Sequence, residues 1–179
     1  MKKIIVIVGL LCIFMRVSTS DFLNFRAFEE SKKFAETLKI NNIVFKLMVT
    51  FSEIESGHNY TANGQSGEKG RYQYMPRTWK SLCKKYFGKE VSNTPEYQEL
   101  VTYNILHEYI KKGYAIDQIA SIWNCGSPKY EGKIGINQFS VAYNVPAYVN
   151  KFVNAYRKVS TGMSSTHLCS INRSLYLIG

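Results

Sequence analysis

The sequence is poor in acidic side chains, and aspartate is almost absent from it. Its 179 residues include 13 Asp and Glu, of which only Asp21 and Asp117 are aspartates, against 23 Lys and Arg, so the net charge is +10. Such a surface favours a polyanionic partner: nucleic acid, an anionic membrane or an acidic cell-wall polymer. Hydrophobic residues make up 45% and charged residues 20% of the chain. These shares are typical of a globular protein and exclude a disordered tail or a fibre.

Cysteine is also scarce, which limits both disulfides and metal sites. Cys83, Cys125 and Cys169 are the cysteines beyond the first twenty residues, and an odd count allows at most one internal disulfide. The three lie too far apart in sequence for a zinc site. His107-Glu108 begins a His-Glu-x-x-His pattern, but Lys111 takes the place of the second histidine. We therefore expect no metal.

Long hydrophobic runs are missing except at the start, where Ile4 to Met15 form a twelve-residue apolar stretch. A helix that crosses a bilayer needs about 20 such residues. A basic start precedes the run and Ser18-Thr19-Ser20 follows it, which is the layout of a secretory signal. We therefore predict that residues 1–20 are a signal peptide, with an uncleaved anchor as the alternative. The protein would be exported to the periplasm, the cell envelope or the extracellular space.

Helical periodicity dominates the rest of the chain, and no segment alternates well enough to demand a large sheet. Proline and glycine mark several helix ends. The sequence thus predicts one mainly α domain over residues 21–159, followed by a Ser- and Thr-rich tail, 160–179. The predicted helices cover residues 22–39, 42–56, 76–87, 95–112, 116–124 and 146–159.

A loop of about twenty residues separates the second and third predicted helices. It is punctuated by Gly57, Gly64, Gly67 and Gly70 and lacks helical periodicity. Loops of this length inside compact domains are usually functional.

Glu55 is the first candidate for chemistry. It lies near the end of the second predicted helix, on the apolar stripe with Met48 and Phe51, whereas Glu53, two residues earlier, points to the opposite side. Desolvation at that position would raise the pKa of the Glu55 carboxyl, as a general acid requires at neutral pH. Taken alone, a helix-terminal glutamate at the rim of the core is the simpler interpretation.

Two further segments carry aromatic and amide side chains. Residues 70–79, at the loop's exit, suit a sugar cleft, where rings stack and amides bind hydroxyl and acetamido groups. A Tyr and Trp core segment is the alternative, whereas a phosphate loop is excluded because Gly67 to Gly70 lacks the Gly-Lys-Ser/Thr ending. Trp123-Asn124 ends a helix, where a core Trp and a helix cap would explain both residues.

Together these segments resemble the catalytic domain of the soluble lytic transglycosylases. The resemblance covers residues 42–157 and implies a mainly helical, goose-type-lysozyme-like fold with a long Gly-rich active-site loop. The residues that carry it, in order, are Glu55-Ser56-Gly57, Gly70-x-x-Gln73-x-Met75-Pro76-x-Thr78-Trp79, Trp123-Asn124-Cys125-Gly126 and Pro146-x-Tyr148-Val149.

The resemblance implies a role for each matching residue. Glu55 is the single catalytic acid, and the other positions bind substrate or hold the acid: Ser56, Tyr72, Gln73, Met75, Trp123, Asn124 and Tyr148. Ser56 would help to hold the carboxyl, Asn124 would lie near the scissile bond, and the Tyr148 hydroxyl would reach toward the acid. Two departures are Trp123, where tyrosine is usual, and a short stretch from Pro146 to Tyr148.

The resemblance also implies the reaction. Glu55 would protonate the oxygen between N-acetylmuramic acid (MurNAc) and N-acetylglucosamine (GlcNAc), and the C6 hydroxyl of the muramoyl residue would close a 1,6-anhydro ring. No cofactor is expected. The partner would be peptidoglycan glycan strands, not nucleic acid, and the context could be wall remodelling, a secretion or conjugation machine, or a phage particle.

Other interpretations remain open. A hydrolysing lysozyme of the same fold would need Glu68, Asp117 or Glu131 near the cleft to position water, although the neighbours of Glu68 predict a solvated loop tip. A glycan-binding module without activity would not require Glu55. A cysteine peptidase would need Cys125 beside His58 or His167, and no recognised signature surrounds Cys125. A nucleic-acid binder is favoured only by charge, because the lysine pairs are dispersed through predicted helices.

Overall fold

A computed structural model of the chain describes residues 19–137 and 140–162. Most of the predicted signal peptide, 1–20, and of the predicted tail, 160–179, lies outside the described residues. Both therefore stay predictions. None of the helices in the described part combines the length and the apolarity that crossing a membrane requires.

The described part of the chain is mainly helical, as the sequence predicts. It contains five helices and a small antiparallel hairpin, in which Ile134 pairs with Asn144 and Ile136 pairs with Ala142. The elements are α1 (Thr19–Ser56), α2 (Pro76–Phe87), α3 (Pro95–Lys111), α4 (Ile116–Cys125), β1 (Ile134–Ile136), β2 (Ala142–Asn144) and α5 (Val145–Gly162).

Helix α1 is continuous where the sequence predicts two helices, 22–39 and 42–56, so that division is wrong. Asn41 and Asn42 are weak helix formers, but neither is a proline or a glycine, and the helix continues through them. The Asn41 side chain accepts a hydrogen bond from the Tyr103 hydroxyl at 2.7 Å. The chain divides between Lys39 and Ile40 into two compact units, and the candidate site residues that the structure describes belong to the second.

Proline marks the starts of α2 and α3 and glycine the end of α2, as predicted, whereas α4 ends at Gly126 and not at Asn124, which the sequence offers as a cap. Pro76 and Pro95 occupy the first turns of α2 and α3, where a missing N–H costs nothing. Gly88 and Gly126 end α2 and α4 with φ of 70° and 72°, the left-handed conformation that glycine adopts most readily. Trp123 and Asn124 therefore lie in the last turn of α4.

An aromatic cluster holds the second unit together next to the loop. Phe51 of α1 stacks on Trp123 of α4 and packs against Phe152 of α5, with ring centroids 4.2 Å apart in each pair. Tyr74, from the loop's exit, lies 5.3 Å from the Trp123 ring. The C-terminal end of α1, α4, α5 and the loop's exit are thereby brought to one place.

The hairpin is the element that the sequence does not predict. Each strand has three residues, too few for a period of two to be recognised. Ile134 and Ile136 are exposed, so burial gives no signal either. The Tyr143 hydroxyl packs against Gly135, where an added Cβ would lie 3.0 Å from its oxygen.

Candidate active site

A groove of about 370 Å³ opens where the long loop, the end of α1 and the end of α4 meet. Five of the eight site residues that the resemblance implies lie along it: Glu55, Gln73, Met75, Trp123 and Asn124. The other lining residues are Gly64, Gln65, Ser66, Glu68 and Val141. The structure thus brings together side chains from four separate stretches of the sequence.

The Glu55 carboxyl has a strongly raised pKa. Burial raises the pKa of its carboxyl from 4.5 to about 7. The Tyr148 hydroxyl donates a hydrogen bond to Glu55 Oε1, which lowers the pKa, as does the nearby Lys151 ammonium, whereas Glu68 raises it. The net effect is a carboxyl that can carry a proton near neutral pH, as the position on the apolar stripe predicts.

Glu53 shows the expected contrast. Its side chain is exposed, and it lines a separate pocket between the end of α1 and α5, not the groove. The two glutamates therefore face different sides of one helix, as residues two positions apart must.

The loop backbone folds tightly where it borders the groove. Lys69 and Tyr74 exchange backbone hydrogen bonds of 2.9 and 3.1 Å. Gln73, between them, has φ of 50° and donates from Nε2 to the Gly70 carbonyl at 2.8 Å. A Cβ on Gly64 would lie 2.3 Å from Glu68 Oε2 and 2.6 Å from Gln73 Oε1, so the lack of a side chain at Gly64 leaves room for both side chains in their present positions.

Glu68 lines the groove instead of occupying a solvated loop tip, so that sequence prediction is wrong. The Gly64 amide donates to the Glu68 carbonyl at 2.8 Å, and the Ser66 amide donates to Glu68 Oε2 at 2.9 Å. Gly67, with φ of 95°, allows the turn between them. These hydrogen bonds close the turn and place a second carboxylate, that of Glu68, in the same groove as Glu55.

Ser56 and Tyr72 lie near the groove without lining it. The Ser56 hydroxyl donates to the Arg71 carbonyl at 2.8 Å and accepts a hydrogen bond from the Asn59 amide at 3.0 Å, so it joins the helix end to the loop. Tyr72 is 1% exposed, and its hydroxyl donates to Glu99 Oε2 at 2.8 Å. The structure therefore does not bring the Tyr72 side chain to the groove, because the ring points into the core.

A polar network that sequence reasoning missed holds the loop against α3. Arg71 Nη1 contacts Glu99 Oε1 at 3.0 Å and Tyr60 Oη at 2.5 Å, and the Tyr60 hydroxyl donates to the same Glu99 oxygen at 2.8 Å. Arg71 Nη2 donates to the Ser52 hydroxyl of α1 at 3.2 Å. Arg71 thereby links α1, the loop and α3.

Gln98 completes this attachment from inside the core. Its Oε1 accepts a hydrogen bond from the Arg71 amide at 2.7 Å, and its Nε2 donates to the Tyr60 carbonyl at 3.1 Å. A Cβ on Gly70 would lie 2.5 Å from Gln98 Oε1. One buried amide thus holds two segments of the loop, at Arg71 and at Tyr60, which precede Gln98 by 27 and 38 residues in the sequence.

The remaining candidates lie apart from the groove's lining. Asp117 accepts a hydrogen bond from the Tyr130 hydroxyl at 3.1 Å, and Glu131 accepts one from the Tyr130 amide at 3.2 Å. Cys125 Sγ lies 3.4 Å from Lys133 Nζ, whereas His58 contacts the Ser52 hydroxyl at 2.7 Å. His167 lies outside the described residues.

No cluster of three or more His, Cys, Asp or Glu side chains suited to a metal ion occurs among the described residues.

Comparison with protein-family models, curated proteins and solved structures finds no significant match to the chain. A function can therefore be inferred only from the motif residues and from the geometry of the groove.

Proposed function

We propose that the chain is a lytic transglycosylase of lysozyme-like, goose-type helical fold that cleaves peptidoglycan strands at the MurNAc–GlcNAc β-1,4 bond. The observation that carries the proposal is Glu55: a carboxyl with a pKa of about 7, hydrogen-bonded by Tyr148, in a groove with Gln73, Met75 and Asn124. A general acid works best when its pKa lies near the working pH.

The reaction needs two proton transfers, and Glu55 can perform both. In its neutral form it donates a proton to the glycosidic oxygen, so that GlcNAc leaves with a 4-hydroxyl group. The resulting carboxylate is stabilised by the Tyr148 hydroxyl and by Lys151. It then accepts the proton of the muramoyl C6 hydroxyl as that oxygen bonds to C1, and the 1,6-anhydro ring closes with Glu55 protonated again.

An intramolecular attack suits this groove. The C6 hydroxyl belongs to the sugar whose C1 is attacked, so its effective concentration greatly exceeds that of an independent nucleophile. Asn124 supplies an amide group for hydroxyl and acetamido substituents, and Met75 supplies apolar contact. Gln73 lines the groove with its Nε2 already bonded to the Gly70 carbonyl. One face of the Trp123 ring stacks on Phe51, so only its remaining surface is available to a sugar.

The charge and the start of the chain agree with this substrate. Peptidoglycan lies outside the cytoplasm, and residues 1–20 predict export to the periplasm, the envelope or the extracellular space. A net charge of +10 favours an anionic polymer. Wall remodelling, passage for a secretion or conjugation machine, and entry of a phage are all compatible with this activity.

The experiment that tests the proposal is clearance of a suspension of purified peptidoglycan by the wild type and by Glu55→Gln. The variant keeps the side chain's shape but cannot donate a proton, so we expect a loss of at least about a hundredfold. Glu131→Gln is the matched control, since it removes an exposed carboxylate outside the groove. Clearance by Glu55→Gln at the wild-type rate would contradict the proposal.

A hydrolysing lysozyme is the second candidate, and the position of Glu68 favours it. Hydrolytic glycosidases commonly use two carboxylates, one of which positions a water molecule. Glu68 lines the same groove as Glu55 and is near enough to raise its pKa. The ends of the cleaved glycan strands distinguish the two reactions.

A further inference from the structure

A second pocket, of about 380 Å³, lies between the end of α1 and α5, on the side that Glu53 faces. The proposed cleavage of the glycan strand makes no use of it. Its lining residues are Glu53, Ile54, Lys151, Asn154, Ala155 and Lys158. All of them belong to the last turn of α1 or to one face of α5.

The lining has the chemistry of a site for a short zwitterionic peptide. Lys151 and Lys158 supply two ammonium groups, and neither forms an ion pair within the described part of the chain. Glu53 supplies one carboxylate, while Ile54 and Ala155 supply apolar contact. A ligand with two carboxylates, one amine and small aliphatic side chains would complement this set.

The spacing of the two lysines sets the length of such a ligand. Lys151 and Lys158 are seven residues apart on α5, which places them about 10 Å apart along the helix axis. An extended chain of three amino-acid residues spans about the same distance. Asn154 lies between the two lysines and offers an amide to the ligand's backbone.

Lys151 also connects this pocket with the groove. It lies one helical turn after Tyr148, whose hydroxyl bonds to Glu55. Its ammonium is near enough to lower the pKa of the Glu55 carboxyl, although the side chain lines the second pocket. Lys151 is therefore the lining residue of the second pocket whose charge acts on the Glu55 carboxyl.

We propose that this pocket binds the peptide stem that a muramoyl residue carries on its lactyl group. The inference rests on the proposed function, since it places that residue at Glu55. The stem's carboxylates pair with Lys151 and Lys158, and the free amine of its diamino acid pairs with Glu53. The protein accordingly prefers strands that carry stems over strands that do not.

The kinetic test compares two substrates: glycan strands with intact stems, and the same strands after an amidase has removed the stems. The measured quantity is the ratio of KM on stripped strands to KM on stem-bearing strands. We expect Lys158→Met to lower this ratio about three- to fivefold, the loss expected for one partly exposed ion pair. Lys111→Met is the control, because it removes one exposed lysine of α3 that lines neither the groove nor the pocket, and the wild-type ratio should persist.

A binding measurement separates this inference from the activity. The free tetrapeptide stem, at millimolar concentration, is titrated into the isotopically labelled wild-type chain, and we expect amide shifts in residues 53–54 and 151–158 that Lys158→Met weakens. An absence of such shifts, or an equal KM ratio in the wild type and Lys158→Met, would overturn the inference even if the strands are cleaved. Localised shifts without any cleavage would reject the proposed function and leave the peptide site standing.

Discussion

The Tyr148 hydroxyl of α5 donates a hydrogen bond to Glu55 Oε1 at the end of α1, across 93 positions of sequence. This bond favours the charged carboxylate, whereas burial favours the neutral acid, and burial has the larger effect. The result is a pKa of about 7. The same side chain can therefore give up a proton and take one back without a large free-energy penalty for either state.

Tyr148→Phe tests this balance. Removing the hydroxyl withdraws a hydrogen bond from the carboxylate, so the pKa of Glu55 should rise further. Because the acid works in its protonated form, the alkaline limb of the rate profile should move to higher pH. Turnover should fall about tenfold or more, since the carboxylate formed by proton donation loses its partner. The measurement is the pH dependence of peptidoglycan cleavage.

Tyr156→Phe is the control for that variant. Tyr156 lies two turns later on α5 and is half-buried, but it lines neither the groove nor the second pocket. Its removal should leave the pH profile unchanged. If Tyr148→Phe also leaves the profile unchanged, the hydroxyl has no influence on Glu55.

Glu55→Gln should make the fold more stable at alkaline pH. The pKa of Glu55 is about 7 in the folded chain, against 4.5 for an exposed carboxyl. The stability that depends on its protonated form is thus fully present below pH 4.5 and is lost as the pH rises through 7. The difference corresponds to about 3 kcal/mol, and the bond from Tyr148 is already included in it.

Urea denaturation at pH 4 and pH 8 measures this effect. Glutamine cannot ionise, so Glu55→Gln should exceed the wild type in unfolding free energy at pH 8 by more than at pH 4. An equal difference at both values would show that Glu55 is not desolvated in the folded chain.

The ion pair of Arg71 and Glu99 should matter more to stability than an exposed pair does. Its side chains are 19% and 20% exposed, whereas those of Lys80 and Glu90 are 55% and 53% exposed. Arg71→Met leaves Glu99 with fewer donors in a half-buried site and should cost about 1–3 kcal/mol of unfolding free energy. Lys80→Met should cost less than about 1 kcal/mol. Equal losses in the two variants would contradict the role of Arg71 in holding the loop.

Alanine substitutions at two glycines of the loop distinguish the stability cost of backbone strain from that of steric overlap. Gly67 and Gly70 have φ of 95° and 83°, so alanine is strained at both positions. An added Cβ meets nothing within 4 Å at Gly67 but lies 2.5 Å from Gln98 Oε1 at Gly70. Gly67→Ala should cost about 1 kcal/mol and Gly70→Ala about 1–3 kcal/mol more, as measured by urea denaturation. Similar costs at both positions would contradict the close packing of Gly70 on Gln98.

The helices and much of the groove could be predicted from the sequence because their signals are local. Pro76 and Gly88 bound α2 within twelve residues, and the apolar stripe of α1 places Glu55 at a buried edge. Helix α1 continues across the predicted division at residues 40 and 41, since Asn41 and Asn42 weaken a helix without ending it. The contact with Tyr103 that involves Asn41 spans 62 residues and leaves no local pattern.

The attachment of the loop could not be predicted for the same reason. Arg71 bonds to Gln98 and Glu99, 27 and 28 positions away, and nothing near either residue marks it as a partner. The burial of Tyr72 could not be predicted from an alternating pattern either, because residues 71–73 form a turn in which Gln73 has φ of 50°. The resemblance to known catalytic domains placed Tyr72 with the substrate-binding residues because it precedes Gln73.

The central claim, that Glu55 acts as a single acid and the substrate's own C6 hydroxyl is the nucleophile, is tested most directly by the masses of the released muropeptides. Purified peptidoglycan is digested with the wild type and with Glu68→Gln, reduced with borohydride and weighed. We expect products that are lighter by one water than hydrolysed muropeptides, that resist reduction, and that Glu68→Gln still releases. Reducible products that disappear in Glu68→Gln would contradict the claim and identify the chain as a hydrolase with two carboxylates.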